Sequence, residues 1–112
     1  MSMSAKILIQ KIFVPKSSLS TFPVIDYICK YSNLLTDTAS KFKGYKNSQS
    51  YWDLTNPNKI ITITNWNNSN DWNNWFNSTE RKDVNTTFND VDININVSHL
   101  MPKLIFEDVA LL

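Results

Sequence analysis

The chain has 112 residues, a formal net charge of +1 from 11 basic and 10 acidic side chains, and 12% aromatic residues. That suffices for one domain with a modest core, and charges so evenly mixed exclude the clustered basic face that nucleic-acid binding requires. No apolar run approaches a membrane span, the first residues lack a signal-peptide core, and the lone Cys29 excludes an internal disulfide.

The expectation is therefore a cytoplasmic protein that contacts neither membrane nor nucleic acid. Residues 1–112 read as a single domain, with a core at 5–100 and a tail at 101–112. Asparagine is over-used, and isoleucine and lysine are plentiful. All three are encoded by AT-rich codons, so an AT-rich genome explains the amides more simply than a functional array does. The sequons at Asn67, Asn77, Asn85 and Asn96 follow from the same richness.

Residues 5–14 are β-branched and aromatic enough for a first strand, which Pro15 ends. Ser17, Ser18, Ser20 and Thr21 offer helix caps, and Pro23 suits a first turn. Val24, Ile25, Ile28, Leu35, Ala39 and Phe42 then recur at helical steps, predicting an amphipathic helix that could break at Ser32-Asn33. Gly44, the only glycine, follows this helix and suits the left-handed residue that stops one.

Residues 45–54 and 59–66 read as two strands joined by the turn Thr55-Asn56-Pro57-Asn58. Ser69 is a candidate cap for a second helix running to about residue 83, with Trp72, Trp75 and Phe76 on one face. Residues 84–90 look irregular. Residues 91–100 alternate Val91, Ile93, Ile95 and Val97 with Asp92, Asn94, Asn96 and Ser98, the signature of a strand with one apolar face. The order β-α-β-β-α-β predicts an α+β, ferredoxin-like sandwich: a four-stranded antiparallel sheet with its helices on one face.

Two helices cover one face of such a sheet, and the other must meet solvent, a partner or a ligand. If Ile61, Ile63, Ile93, Ile95 and Val97 face the helices, the opposite face carries Thr62, Thr64, Trp66, Asn94, Asn96 and Ser98, with Gln10, Tyr51 and Trp52 nearby. That mixture of rings, amides and hydroxyls suits an organic ligand or a semi-polar dimer interface.

The opening strand, Gly44, the hairpin ending in Trp66, and the pattern Trp72-x-x-Trp75-x-x-Ser78 resemble the antibiotic biosynthesis monooxygenase domain family, within the dimeric α+β barrel superfamily. The resemblance covers most of residues 5–100. It implies a homodimer built by pairing two sheets, with a pocket in each protomer between sheet and helices. It also implies oxygenase chemistry without a cofactor or metal. Haem-degrading members place a tryptophan where Trp66 stands, an amide near Gln10, and an iron-ligating histidine where this chain has Asn85. Asparagine does not replace that ligand, which argues against haem degradation.

By this resemblance, Trp66, Gln10, Thr62, Thr64, Asn94 and Asn96 are the expected substrate-binding residues. His99, the only histidine, and Gln10 are the candidates for catalysis. The plainer reading makes His99 an exposed strand-end residue, Trp72 and Trp75 core, Cys29 a buried inert thiol and Arg81 a solvated helix residue. No Cys/His cluster has zinc spacing, and a chain with one glycine has no phosphate loop.

Two functions follow. One is a small oxygenase of an aromatic or quinol-type substrate, in which a base removes a proton and the resulting carbanion reduces oxygen. The other is a non-catalytic dimeric barrel that binds a small molecule or serves as an assembly module. The apolar tail, with Leu104, Ile105, Phe106, Val109, Leu111 and Leu112, is expected to cross to a partner or cover its own sheet edge.

Overall fold

The computed structural model describes residues 4–15, 24–88 and 91–101. The expected tail packing and the caps at 17–23 lie outside these residues. Strand β1 (Ala5–Pro15) leads to helix α1 (Val24–Ala39), then to the hairpin of β2 (Tyr45–Asp53) and β3 (Asn56–Trp66). Helices α2 (Ser69–Phe76) and α3 (Thr79–Thr87) precede β4 (Val91–Leu100). The four strands form one antiparallel sheet in the order β2-β3-β1-β4, the ferredoxin-like arrangement expected from the sequence.

Helix α1 is unbroken at Ser32-Asn33. Ile28, Tyr31 and Ala39 point inward with the half-buried Leu35, whereas Ile25 is exposed despite its apolar character. The hairpin is tighter than expected. Asn56 to Asn58 belong to β3, and the Asp53 carboxylate accepts from the Thr55 N–H at 2.8 Å and from the Thr55 hydroxyl at 2.7 Å.

The expected second helix is two helices. The Ser78 hydroxyl donates to the Trp75 carbonyl at 2.7 Å, at the end of α2, and accepts from the Arg81 N–H at 3.1 Å, as the cap of α3. Serine thus closes one helix and opens the next, and the segment expected to be irregular is helical through Thr87. Helix α2 is capped by the Asn68 side chain rather than by Ser69: the Asp71 N–H donates to Asn68 Oδ1 at 2.8 Å.

Gly44 takes the expected positive φ, +88°, but it does not stop the helix: α1 ends at Ala39, short of Phe42, and Gly44 sits in the following turn, where the Tyr45 N–H donates to the Phe42 carbonyl at 3.3 Å. It is also held by space. A Cβ there would lie 2.1 Å from Asp71 Oδ2 on α2, and the Gly44 carbonyl accepts from the Asn67 N–H at 2.7 Å. The turn before β2 is thereby fastened to the junction between β3 and α2.

Strand register fixes which side chains meet the helices. In β1 these are Ala5, Ile7, Ile9, Lys11 and Phe13. Pairing places Trp66, Thr64, Thr62 and Ile60 of β3, and His99, Val97, Ile95 and Ile93 of β4, on the same side. The expectation for β4 is correct and the expectation for β3 is inverted: Thr62, Thr64 and Trp66 face the helices, and Ile61 and Ile63 face away. The cause is the two-residue period of a strand. Burying Trp66, the largest side chain of β3, carries every residue of its parity inward. Thr64 is accommodated by polar contacts, accepting from the Ser48 hydroxyl at 3.1 Å and donating to the Asn47 carbonyl at 3.4 Å.

Candidate active site: a lysine-lined cleft beneath the helices

Two apolar clusters fill the layer between sheet and helices. One holds Ala5, Ile7, Ala39, Trp66, Trp72 and Trp75, and the other holds Phe13, Ile28, Tyr31, Ile60, Val84 and Val91. Between them opens a cleft walled by Ile9, Leu35, Ala39 and Trp75. Its polar side chains are Lys11, Thr62 and Thr64 from β1 and β3, Ser48 from β2, and Ser32 and Thr36 from α1. The cleft has a volume of about 40 Å³ and opens to solvent at its mouth. It is a slot rather than a chamber. A single water needs roughly 10–15 Å³ on that measure.

Lys11 is the chemical centre of this cleft. Only 7% of its surface is exposed, because it occupies an inward position of β1 between Ile9 and Phe13. Its Nζ lies 4.8 Å from the centroid of the Tyr31 ring, a cation–π approach. Burial, aided by the Arg81 guanidinium, lowers its pKa from 10.5 to about 7. Near neutrality much of the amine is therefore the free base.

The surroundings of Lys11 are set by α1 and α3. The Tyr31 hydroxyl donates to Asn85 Oδ1, and burial holds the phenol neutral, its pKa raised to about 12 against the opposing pull of Arg81. Asn85, at the position where the haem-degrading pattern needs a histidine, is thus engaged in a structural hydrogen bond. Arg81 donates from Nη1 to the Phe76 carbonyl at 3.1 Å and lies over the Phe76 ring at 4.0 Å, closing the C-terminus of α2. It is half-buried rather than solvated, and burial lowers its pKa.

The side chains expected to bind substrate divide between the two faces of the sheet. Thr62 and Thr64 line the cleft. Thr64 belongs to a relay in which the Tyr45 hydroxyl donates to Ser48 Oγ at 2.9 Å and Ser48 to Thr64. Trp66 does not reach the cleft. It is fully buried, its ring edge-on to Tyr45 at 5.4 Å. Trp75, expected to be core, forms part of the cleft wall while meeting Phe42 edge-on at 5.2 Å.

Gln10, Asn94 and Asn96 lie together on the far face, in a separate hollow of about 170 Å³ with Ile12. His99 is exposed near the end of β4, paired with Ile7 and edge-on to Trp72 at 5.2 Å. Lys11 pairs with Ile95, which puts the histidine about 13 Å away along the strand. The residue that sequence reasoning missed is Lys11. Its signal was parity: the set Ala5, Ile7, Ile9, Lys11, Phe13 is apolar except for one cation, whereas the opposite set contains the more conspicuous Gln10.

Among the described residues no group of three or more histidine, cysteine or acidic side chains could hold a metal, and no helix is long and apolar enough to cross a membrane. No protein-family model matches the chain, and no curated protein matches it in sequence. Structural comparison defines the class: the α+β, ferredoxin-like fold is that of antibiotic biosynthesis monooxygenase domains. SnoaB, a cofactor-independent oxygenase from Streptomyces nogalater, superposes with a TM-score of 0.66 at 6% identity, over 88% of this chain and 93% of that one. A protein described as an antibiotic biosynthesis monooxygenase gives 0.64 at 14% identity, over 89% and 100%. PA3566 from Pseudomonas aeruginosa gives 0.64 at 10% identity, over 91% and 99%.

Proposed function

We propose that this chain is a cofactor-independent monooxygenase in which Lys11 is the base and the cleft admits a single-ring phenolic or quinol-type molecule. The observation that carries this reading is a buried amine on the wall of a cleft between sheet and helices. A base with a pKa near the working pH combines the correct protonation state with useful proton affinity. Removing a proton from the substrate leaves an electron-rich anion that reduces oxygen directly. The ammonium just formed then stands beside the negative charge that develops on oxygen. Trp75 offers a stacking wall, and Ser32, Thr36 and Thr62 offer hydroxyls to the substrate oxygens. The narrow slot favours one ring over a fused polycycle.

The reading includes a cytoplasmic homodimer. Leu8, Ile12, Ile61 and Ile63 sit on the face away from the helices, interspersed with Gln10, Asn94 and Asn96. A face of this mixed character suits an interface between two copies, and the three amides are assigned to it. An Ile63→Lys chain sedimenting as a monomer beside a dimeric native chain supports this; identical sedimentation counts against it.

The oxygenase reading is tested by oxygen uptake with a panel of single-ring hydroquinones and catechols, with a fused anthrone-type compound as the substrate expected to be excluded. Uptake that disappears in both Lys11→Met and Lys11→Arg supports it, and uptake unchanged in either refutes Lys11 as base. The small volume of the cleft favours a second reading, a non-catalytic dimeric barrel that serves as an assembly module. A dimer that shows neither ring binding by titration nor oxygen uptake would select it.

A further inference from the structure

A base and a nucleophile use the same lone pair and differ in what must approach it. Of the lysines in the described residues, Lys11 alone is buried, and it is the one that lines the cleft. No carboxylate appears among the lining residues, so the cleft itself offers the amine no fixed counter-charge. The groups around Lys11 are the apolar Ile60 and Ile95 on the neighbouring strands, the Tyr31 ring from α1, and the cation Arg81 from α3. None of them supplies an opposite charge, and the Tyr31 ring offers the ammonium only its π face. A desolvated lysine beside a second cation is a recognised way to activate an amine toward carbonyl carbon.

We propose that Lys11 is a carbonyl-capture site, forming a reversible Schiff base with a small aldehyde or ketone that enters the cleft. The Nζ lone pair forms the new bond to the carbonyl carbon. The C=O π pair moves to oxygen, which takes a proton to give a carbinolamine. Loss of that oxygen as water, with a proton from the nitrogen, leaves the C=N bond, and nothing is oxidised or reduced. Ser32 and Thr36 line the α1 side of the cleft, where a hydroxyl can relay a proton to the departing oxygen. The apolar walls of Ile9, Leu35 and Trp75 limit the water that would reverse the step. This inference uses the cleft but does not depend on the oxygenase reading.

The test is reductive trapping on the full chain. The protein is incubated at pH 7.5 with 4-hydroxybenzaldehyde or butanal and sodium cyanoborohydride, then digested and mapped by mass spectrometry. The expected result is modification of Lys11 at least about ten times faster than of any exposed lysine, because at this pH far more of it is free base. Modification of the Lys11 peptide should fall steeply below pH 6, and the fast adduct should vanish in Lys11→Arg. Adducts spread over Lys6, Lys41 and Lys46 with no excess at Lys11 would overturn the proposal. The native peptide map decides even if the variant fails to fold. Trapping at Lys11 without oxygen uptake on any quinol supports this inference and removes the oxygenase reading; uptake without trapping does the reverse.

Discussion

The two ends of the layer between sheet and helices differ in chemistry. At one end Trp66, Trp72 and Trp75 interlock with Ala5, Ile7 and Ala39. At the other, the lysine of β1 lies over the ring of Tyr31, whose hydroxyl donates to Asn85, and is influenced by the charge of Arg81. The tryptophan end dominates the sequence, yet its rings mostly fill space, and the indole N–H groups of Trp66 and Trp72 are buried without a hydrogen-bond partner among the described residues. Leaving such donors unpaired costs stability, on the order of 1–3 kcal/mol each, which the area buried by each ring offsets. The lysine end is inconspicuous in sequence and holds the reactive group. Ring size reports on packing, whereas a charge forced inward by strand parity reports on chemistry.

The largest expected effect breaks the tryptophan end. Trp66→Ala removes a fully buried ring and should cost about 3–5 kcal/mol in urea unfolding. Trp66→Phe should recover part of that loss. If Trp66→Ala unfolds near the native midpoint and instead selectively abolishes ligand binding, the contrast between the two ends is wrong.

Next comes Lys11→Met. Burial lowers the folded-state pKa of Lys11 to about 7, while the unfolded chain keeps a value near 10.5, so the unfolded chain binds more protons between those limits. The charged lysine therefore costs stability below pH 7, and the cost fades as pH rises toward 10. At pH 6, Lys11→Met should be more stable than the native chain by about 4–5 kcal/mol, and the gap should shrink to under about 1 kcal/mol by pH 10. Above pH 10 Tyr31 adds an opposite trend. Its raised pKa means that the unfolded chain ionises first, and stability falls as pH rises further. A pH-independent gap in matched denaturant series would contradict the burial argument.

Gly44→Ala tests how the tryptophan end is anchored. It meets both the positive φ and the Asp71 carboxylate, and should cost roughly 1–3 kcal/mol. Removing the carboxylate as well, in Gly44→Ala/Asp71→Ala, should leave only the backbone part of that cost relative to Asp71→Ala. The smallest effect is Tyr31→Phe. It deletes the donor to Asn85 and should cost about 1 kcal/mol by thermal unfolding. By removing the phenol beside Lys11 it should also change the pH profile of any cleft activity more than a substitution at Trp72 does.

Much of the fold was legible because its signals are local. The alternation of Val91 to Val97 gives β4 and its face, and Gly44 marks the turn that leads into β2, although the helix itself ends earlier, at Ala39. The register of β3 was not legible in the same way. Ile60-Ile61-Thr62-Ile63-Thr64 offers two interleaved faces, and hydrophobicity alone selects the isoleucines of the wrong one. Trp66 decides the matter from the strand's end, through packing against Tyr45 and the helices that no local pattern encodes. The Trp72-x-x-Trp75-x-x-Ser78 pattern was read as a family mark, and its serine is a helix junction. Little of the candidate site was legible: Thr62 and Thr64 reach the cleft, whereas Trp66, Gln10, Asn94, Asn96 and His99 do not line it. A lysine in a strand is read as solvated until its parity is known, which is why Lys11 was passed over.

The central claim is that the Lys11 amine gives up its proton near pH 7, leaving about half of it uncharged at neutrality. It is tested by following the ε-methylene carbons of isotopically labelled lysine by NMR from pH 5 to 11. One lysine signal titrating near pH 7, absent from Lys11→Met, is the predicted result. All lysine signals titrating together near 10 or above would contradict the account.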